Sequence, residues 1–185
     1  SLTLESDNGH RMFHNTKLGS KGDMNPWDTS NAVTMYQMFI DITGFNQPIG
    51  DWDTSSVTNM QQMFRKYTGG MTFDQDIGNW DVSNVTTMYQ MFFADHNYNA
   101  FNNGGSPSIS GWDTSSVTTM EDMFRNCTGF NQPIGNWDTS KVTNMTYMLY
   151  GANSFNQDLG GWDMTGVTNL LSFFQSNNVF NNGGS

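Results

Sequence analysis

Six acidic side chains recur beside tryptophan, at Trp27-Asp28, Trp52-Asp53, Trp80-Asp81, Trp112-Asp113, Trp137-Asp138 and Trp162-Asp163. A regular row of carboxylates has two chemical uses. It can hold a row of cations, or each carboxylate can accept hydrogen bonds from free N–H groups at the start of a short helix. The second use is expected here, because neighbouring carboxylates repel unless bonded to donors. Asp74-x-Asp76-x-Gly78-Asn79 resembles part of a calcium loop, but the distal bidentate glutamate is replaced by Val85. His10 and His14 lie at i, i+4 without the glutamate of a zinc-binding His-Glu-x-x-His helix, and His96 stands apart. Cys127 is the only cysteine, which excludes a disulfide framework and a Cys-rich zinc site. It falls at a small, inward repeat position and is expected to be a buried thiol. No nucleophile elbow, phosphate loop or carboxylate pair stands outside the repeat frame. The chain is therefore not read as an enzyme, and no catalytic residue, metal or cofactor is expected.

The elements that carry these residues follow from the repeat itself. The tryptophans are separated by 25, 28, 32, 25 and 25 residues, a period typical of stacked repeats. The second unit runs Trp-Asp-Thr-Ser-Ser-Val-Thr-Asn-Met-Gln-Gln-Met-Phe from Trp52 to Phe64. Val57, Met60, Met63 and Phe64 fall at i, i+3, i+6 and i+7, which predicts one face of a short helix. Ile49-Gly50-Asp51-Trp52 is too short for a helix and predicts a short strand or extended turn. The expected fold class is an α/β repeat solenoid, with a short strand and a short helix in each unit of about 25 residues. Residues 1–185 are expected to form one domain. A degenerate opening unit spans 1–26, and repeats begin near 27, 52, 80, 112, 137 and 162. Phe180–Ser185 repeats Phe101–Ser106, so a further unit is expected to follow. The tryptophans should form one internal column, and Phe45, Phe73, Phe130, Phe155 and Phe180 another. Asn46, Asn131 and Asn156, with Asp74 in their place in one unit, should bond backbone groups at a turn.

This unit, followed by Phe-Asn-Gln-x-Ile-Gly, resembles the 25–26-residue repeat of bacterial surface proteins and mycoplasma-type lipoproteins, which is similar to the BspA-type leucine-rich repeat. Val117-Thr118, Met120, Met123-Phe124, Cys127 and Phe130 carry the likeness best. The resemblance covers about residues 24–182 and implies a right-handed, leucine-rich-repeat-like coil. It also implies display at a cell surface and adhesion or partner binding, and it brings no catalytic residue.

Composition narrows the partners. The formal net charge is -10 with seven Lys+Arg, which argues against nucleic acid and against anionic membrane surfaces. No run of eighteen apolar residues is present, so no membrane span is expected in this segment. Asn84-Val85-Thr86, Asn126-Cys127-Thr128 and Asn144-Met145-Thr146 match the glycosylation pattern but sit inside repeat frames.

The period itself breaks in units two and three, where 65–72 and 93–100 are longer than the usual five-residue link. Insertions in stacked repeats map to loops, often on a binding face. Arg65, Lys66, Tyr67, His96 and Tyr98 are thus the candidate partner-binding residues. The expected function is an extracellular module, on a cell surface or a viral appendage, that binds a protein or glycan of another surface. A structural spacer is the alternative. An ice-binding role ranks lower, because Thr34, Thr58, Thr86, Thr118, Thr143 and Thr168 do not read as a uniform array.

Overall fold

The computed structural model describes residues 24–95 and 99–184. Successive units lie on one another in register. Single parallel bridges join Thr34 to Asn59, Asn59 to Thr87, Thr87 to Thr119, Thr119 to Asn144 and Asn144 to Asn169. One apolar core runs through the units, from Met24 to Phe173. No unit could bury its apolar side alone, and stacking makes the core continuous.

The expected alternation of strand and helix is not what forms. Among the described residues there is no α-helix and no strand longer than a single bridge. The regular pieces are three short 3₁₀ turns, Asn103–Gly105, Pro107–Gly111 and Asn182–Gly184. An α/β, leucine-rich-repeat-like coil is therefore corrected to a stack of turns. The reason lies in where the backbone donors go. In unit two, the N–H groups of Met60, Gln62, Phe64 and Lys66 donate to the carbonyls of Thr87, Tyr89, Met91 and Phe93 in the next unit. Between them, Met63 N–H returns to the Met60 carbonyl and Arg65 N–H to that of Gln62. A helix would need every donor for its own i−4 carbonyl. Here alternate donors leave the unit, and three-residue turns produce the same i, i+3 apolar spacing as a helix. The left-handed backbone at Gln37, Gln62, Gln90, Asp122, Tyr147 and Ser172, with φ between 52° and 56°, also breaks any helical path.

The stretch before each tryptophan is likewise a turn. The N–H groups of Trp52, Trp80 and Trp137 close onto the carbonyls of Ile49, Ile77 and Ile134. Glycine is required where the next unit passes closest. A Cβ on Gly135 would meet the Asp158 carbonyl oxygen at 2.2 Å.

The expected internal columns form. Trp52, Trp80, Trp112 and Trp137 are buried, and Trp27 and Trp162 pack against the core. From Trp52 onward each indole N–H donates to a carbonyl of the unit before it, among them Trp80 to Ile49 at 2.9 Å, Trp137 to Ile109 at 2.8 Å and Trp162 to Ile134 at 2.9 Å. The phenylalanine column runs through Phe45, Phe73, Phe101, Phe130, Phe155 and Phe180, with ring centroids 5.6–6.1 Å apart. Phe101, which the Phe-Asn-Gln motif does not mark, supplies the member between Phe73 and Phe130. A second column, Phe39, Phe64, Phe92 and Phe124, stacks beside it at 5.4–5.6 Å. Each stacked pair contributes about 0.5–1.5 kcal/mol beyond its buried area.

Candidate functional site

Most of the polar side chains with a regular period serve the stack. The carboxylates of Asp28, Asp53, Asp81, Asp113, Asp138 and Asp163 accept the N–H of the residue two positions on. They cap turns, where helix starts were expected. Hydrogen bonds from the Ser55 hydroxyl and N–H hold Asp53 below the usual carboxylate range, and Ser115 does the same for Asp113. Asn46, Asp74, Asn102, Asn131 and Asn156 form a second ladder, each side-chain oxygen accepting a backbone N–H of the next unit. Asp74 also accepts the Gly104 N–H, and Asp76 accepts Ser108 Oγ at 2.6 Å and the Gly78 N–H. Burial would raise Asp76, but these donors outweigh it and its carboxyl is lowered.

Thr58, Thr86, Thr118, Thr143 and Thr168 form one column, from which Thr34 is absent. Each hydroxyl donates to a carbonyl of the preceding unit, and Val33 holds this place in unit one. Thr34 belongs to the adjacent bridge column. Cys127 is fully buried, its sulfur 3.0 Å from Asn99 Nδ2, and burial pushes its thiol well up.

The break in period has a definite geometry. Regular units turn back after a left-handed residue at Asp41, Asn126, Gly151 or Ser176. Lys66 and Ala94 occupy the same place in units two and three, and there the chain runs on. Lys66 bridges Ala94, Met71 bridges Asn99, and Asp95 N–H donates to the Lys66 carbonyl. The two insertions thus pair with each other. Met71 and Asn99 are buried, so the insertions also carry part of the core.

The five candidate residues separate. His96 and Tyr98 lie outside the described residues, as do His10, His14 and most of the expected opening unit. Lys66 is buried, and its ammonium bonds Asp41 Oδ1 at 2.9 Å, the Asp41 carbonyl at 3.1 Å and Thr43 Oγ1 at 3.3 Å. Its charge does not reach the surface. Arg65 and Tyr67 come together, with the guanidinium 4.3 Å from the ring centroid.

Arg65 also reveals a column that the motif reading missed. The residue directly after each Met-Phe pair reads Ile40, Arg65, Phe93, Arg125, Tyr150 and Gln175 along the stack. Guanidinium and ring alternate. The Arg65 guanidinium lies 4.9 Å from the Phe93 ring centroid, and that of Arg125 lies 5.3 Å from the Phe93 centroid and 5.1 Å from the Tyr150 centroid. Tyr147 packs against Arg125 at 4.7 Å and meets Tyr150 edge-on. Behind this column, Gln37, Gln62, Gln90 and Asp122 pass side-chain hydrogen bonds from unit to unit. Arg65 bonds Gln90, and Arg125 pairs with Asp122 at 3.0 Å. Glu121 beside them is raised by burial and then by the Asp122 charge. The signal was present in the letters, one place beyond the motif.

Two matches to a family described as Mycoplasma protein of unknown function, DUF285, cover residues 7–104 and 97–185. The chain belongs to this family. The mycoplasma-type repeat that its Trp-Asp units resembled is thereby established, while the strand-and-helix architecture implied by the leucine-rich-repeat likeness is not. Comparison with curated proteins and with solved structures finds no match for the chain. Among the described residues, no helix is long and apolar enough to cross a membrane.

Proposed function

We propose that this member of the DUF285 family is a non-enzymatic, surface-displayed adhesion module that binds a protein or glycan of another surface. The observation that carries the reading is the paired lengthening of units two and three. Stacking does not require it, because the regular units stack through the same bridges without it. It brings Tyr67 beside the Arg65–Phe93–Arg125 column, on the side where the chain departs from its period. Arginine and tyrosine are enriched at binding hot spots.

The test is retention of the labelled chain on intact host-type cells, compared with a variant carrying Tyr67→Ala and Arg125→Ala. Specific, saturable retention that the variant loses supports adhesion. No retention by the wild-type chain would reject it in favour of a spacer. The spacer has one observation of its own. The Asp, Asn, Thr and Gln ladders spend their hydrogen bonds within the stack, as a passive rod would. Ice binding is set aside, since the threonine column commits its hydroxyl protons to backbone carbonyls.

A further inference from the structure

We infer that the shelf formed by Tyr67, Arg65, Arg125, Tyr147 and Tyr150 is a subsite for a neutral carbohydrate; this rests on the adhesion reading above and names its ligand class. The shelf is pre-organised. The Arg125 guanidinium is held by Asp122 at 3.0 Å and by Phe93, Tyr147 and Tyr150. Arg65 is held by Gln90 and by the rings of Tyr67 and Phe93. Fixed donors lose little freedom when a ligand arrives. Arg125 pairs through one terminal nitrogen only, and its side chain stays 31% exposed. Tyr67 is the exposed large aromatic of the shelf, at 36%. A ring face beside a planar fork of N–H donors fits the C–H face and hydroxyl rim of a sugar.

Charge and apolarity narrow the ligand further. Asp95 pairs with Arg65 and Asp122 with Arg125, so carboxylates balance the cations at the shelf. An anionic sugar, a phosphate or an acidic peptide would meet no net attraction, and the chain as a whole carries -10. Of the exposed aliphatic side chains, Val33 lies in unit one and Met164, Leu170, Leu171 and Val179 in unit six, where Leu171 adjoins the shelf's edge and its carbonyl accepts the Tyr147 N–H. The middle of the shelf is made of arginine and tyrosine, with the exposed aliphatic side chain at one edge and not at the centre, where a protein–protein contact keeps its apolar core. A neutral hexose or N-acetylhexosamine needs neither net charge nor an aliphatic core.

The experiment uses the full chain on an array of neutral and acidic oligosaccharides, followed by saturation-transfer NMR with the neutral binders. Tyr67→Ala removes the exposed ring, and Arg125→Lys keeps the charge while removing the planar fork. Both variants are checked by circular dichroism and melting. Expected is binding to neutral glycans, with at least a tenfold loss in each folded variant and transfer to the sugar's C–H protons. Binding that both folded variants retain would overturn the shelf and leave adhesion standing through another face. Binding confined to acidic glycans, or retention on cells with no glycan bound on the array, would overturn the neutral-sugar assignment alone. No retention on cells and no glycan binding would overturn both.

Discussion

The Lys66 ammonium lies 2.9 Å from the Asp41 carboxylate of the preceding unit, and Lys66 is only 4% exposed. All three of its N–H donors are used. Burial would raise the Asp41 carboxyl, but Lys66 and the Tyr67 N–H more than compensate and lower it. Lys66→Met strands a largely buried carboxylate, and the expected cost is about 3 kcal/mol. Adding Asp41→Asn keeps an acceptor for Tyr67 N–H and should recover at least half of that loss. Urea unfolding of the two single variants and the double variant measures this, and additive losses would show that the pair is not coupled.

The tryptophan column predicts a graded effect. Trp80→Phe deletes the buried bond from the indole to the Ile49 carbonyl and opens space in the core. The expected loss is about 2 kcal/mol. Trp162→Phe deletes the equivalent bond to Ile134, but Trp162 is only half-buried and water can replace the donor. Its loss should be smaller, and equal losses in chemical denaturation would contradict the burial argument.

Gly135→Ala places a methyl group 2.2 Å from the Asp158 carbonyl oxygen, which is backbone and cannot swing away. Gly111→Ala meets nothing within 4 Å. Melting temperatures should fall for the first and stay unchanged for the second.

Acid should unfold the chain. Hydrogen bonds from the hydroxyl and N–H two residues on lower Asp28, Asp53, Asp113, Asp138 and Asp163; against burial, Lys66 and the Tyr67 N–H lower Asp41, and Ser108 and the Gly78 N–H lower Asp76. A carboxylate lowered in the folded state adds stability above its unfolded value, near about 3.9, and loses it as pH falls through the folded value. Glu121, raised by burial and Asp122, acts in the opposite sense. With seven groups against one, the melting temperature should hold from about pH 7 to about pH 5 and drop below about pH 4. A melting temperature that rises steadily below about pH 4 would reverse the sign and refute the assignment.

The repeat letters alone determined the period, the stacking register and the inward columns of tryptophan and phenylalanine. Placing like residues at like positions requires only that each unit lie on the last. The Asn46–Asp74–Asn131–Asn156 ladder was readable for the same reason. The apolar spacing of Val57, Met60, Met63 and Phe64 did not determine the backbone, because a helix and a run of three-residue turns put the same side chains inward. What decided between them was the destination of the Met60, Gln62 and Phe64 N–H groups, which lies in the next unit. Lys66 reads as an exposed cation until Asp41 is brought beneath it from 25 residues earlier. The Arg65, Phe93, Arg125 and Tyr150 column gains its meaning only in three dimensions. The step between stacked units, close to about 4.8 Å, is also the distance at which a guanidinium and a ring attract. As for the Trp-Asp pairs, the sequence marked them as a framework, and the tertiary structure decided that their carboxylates cap turns.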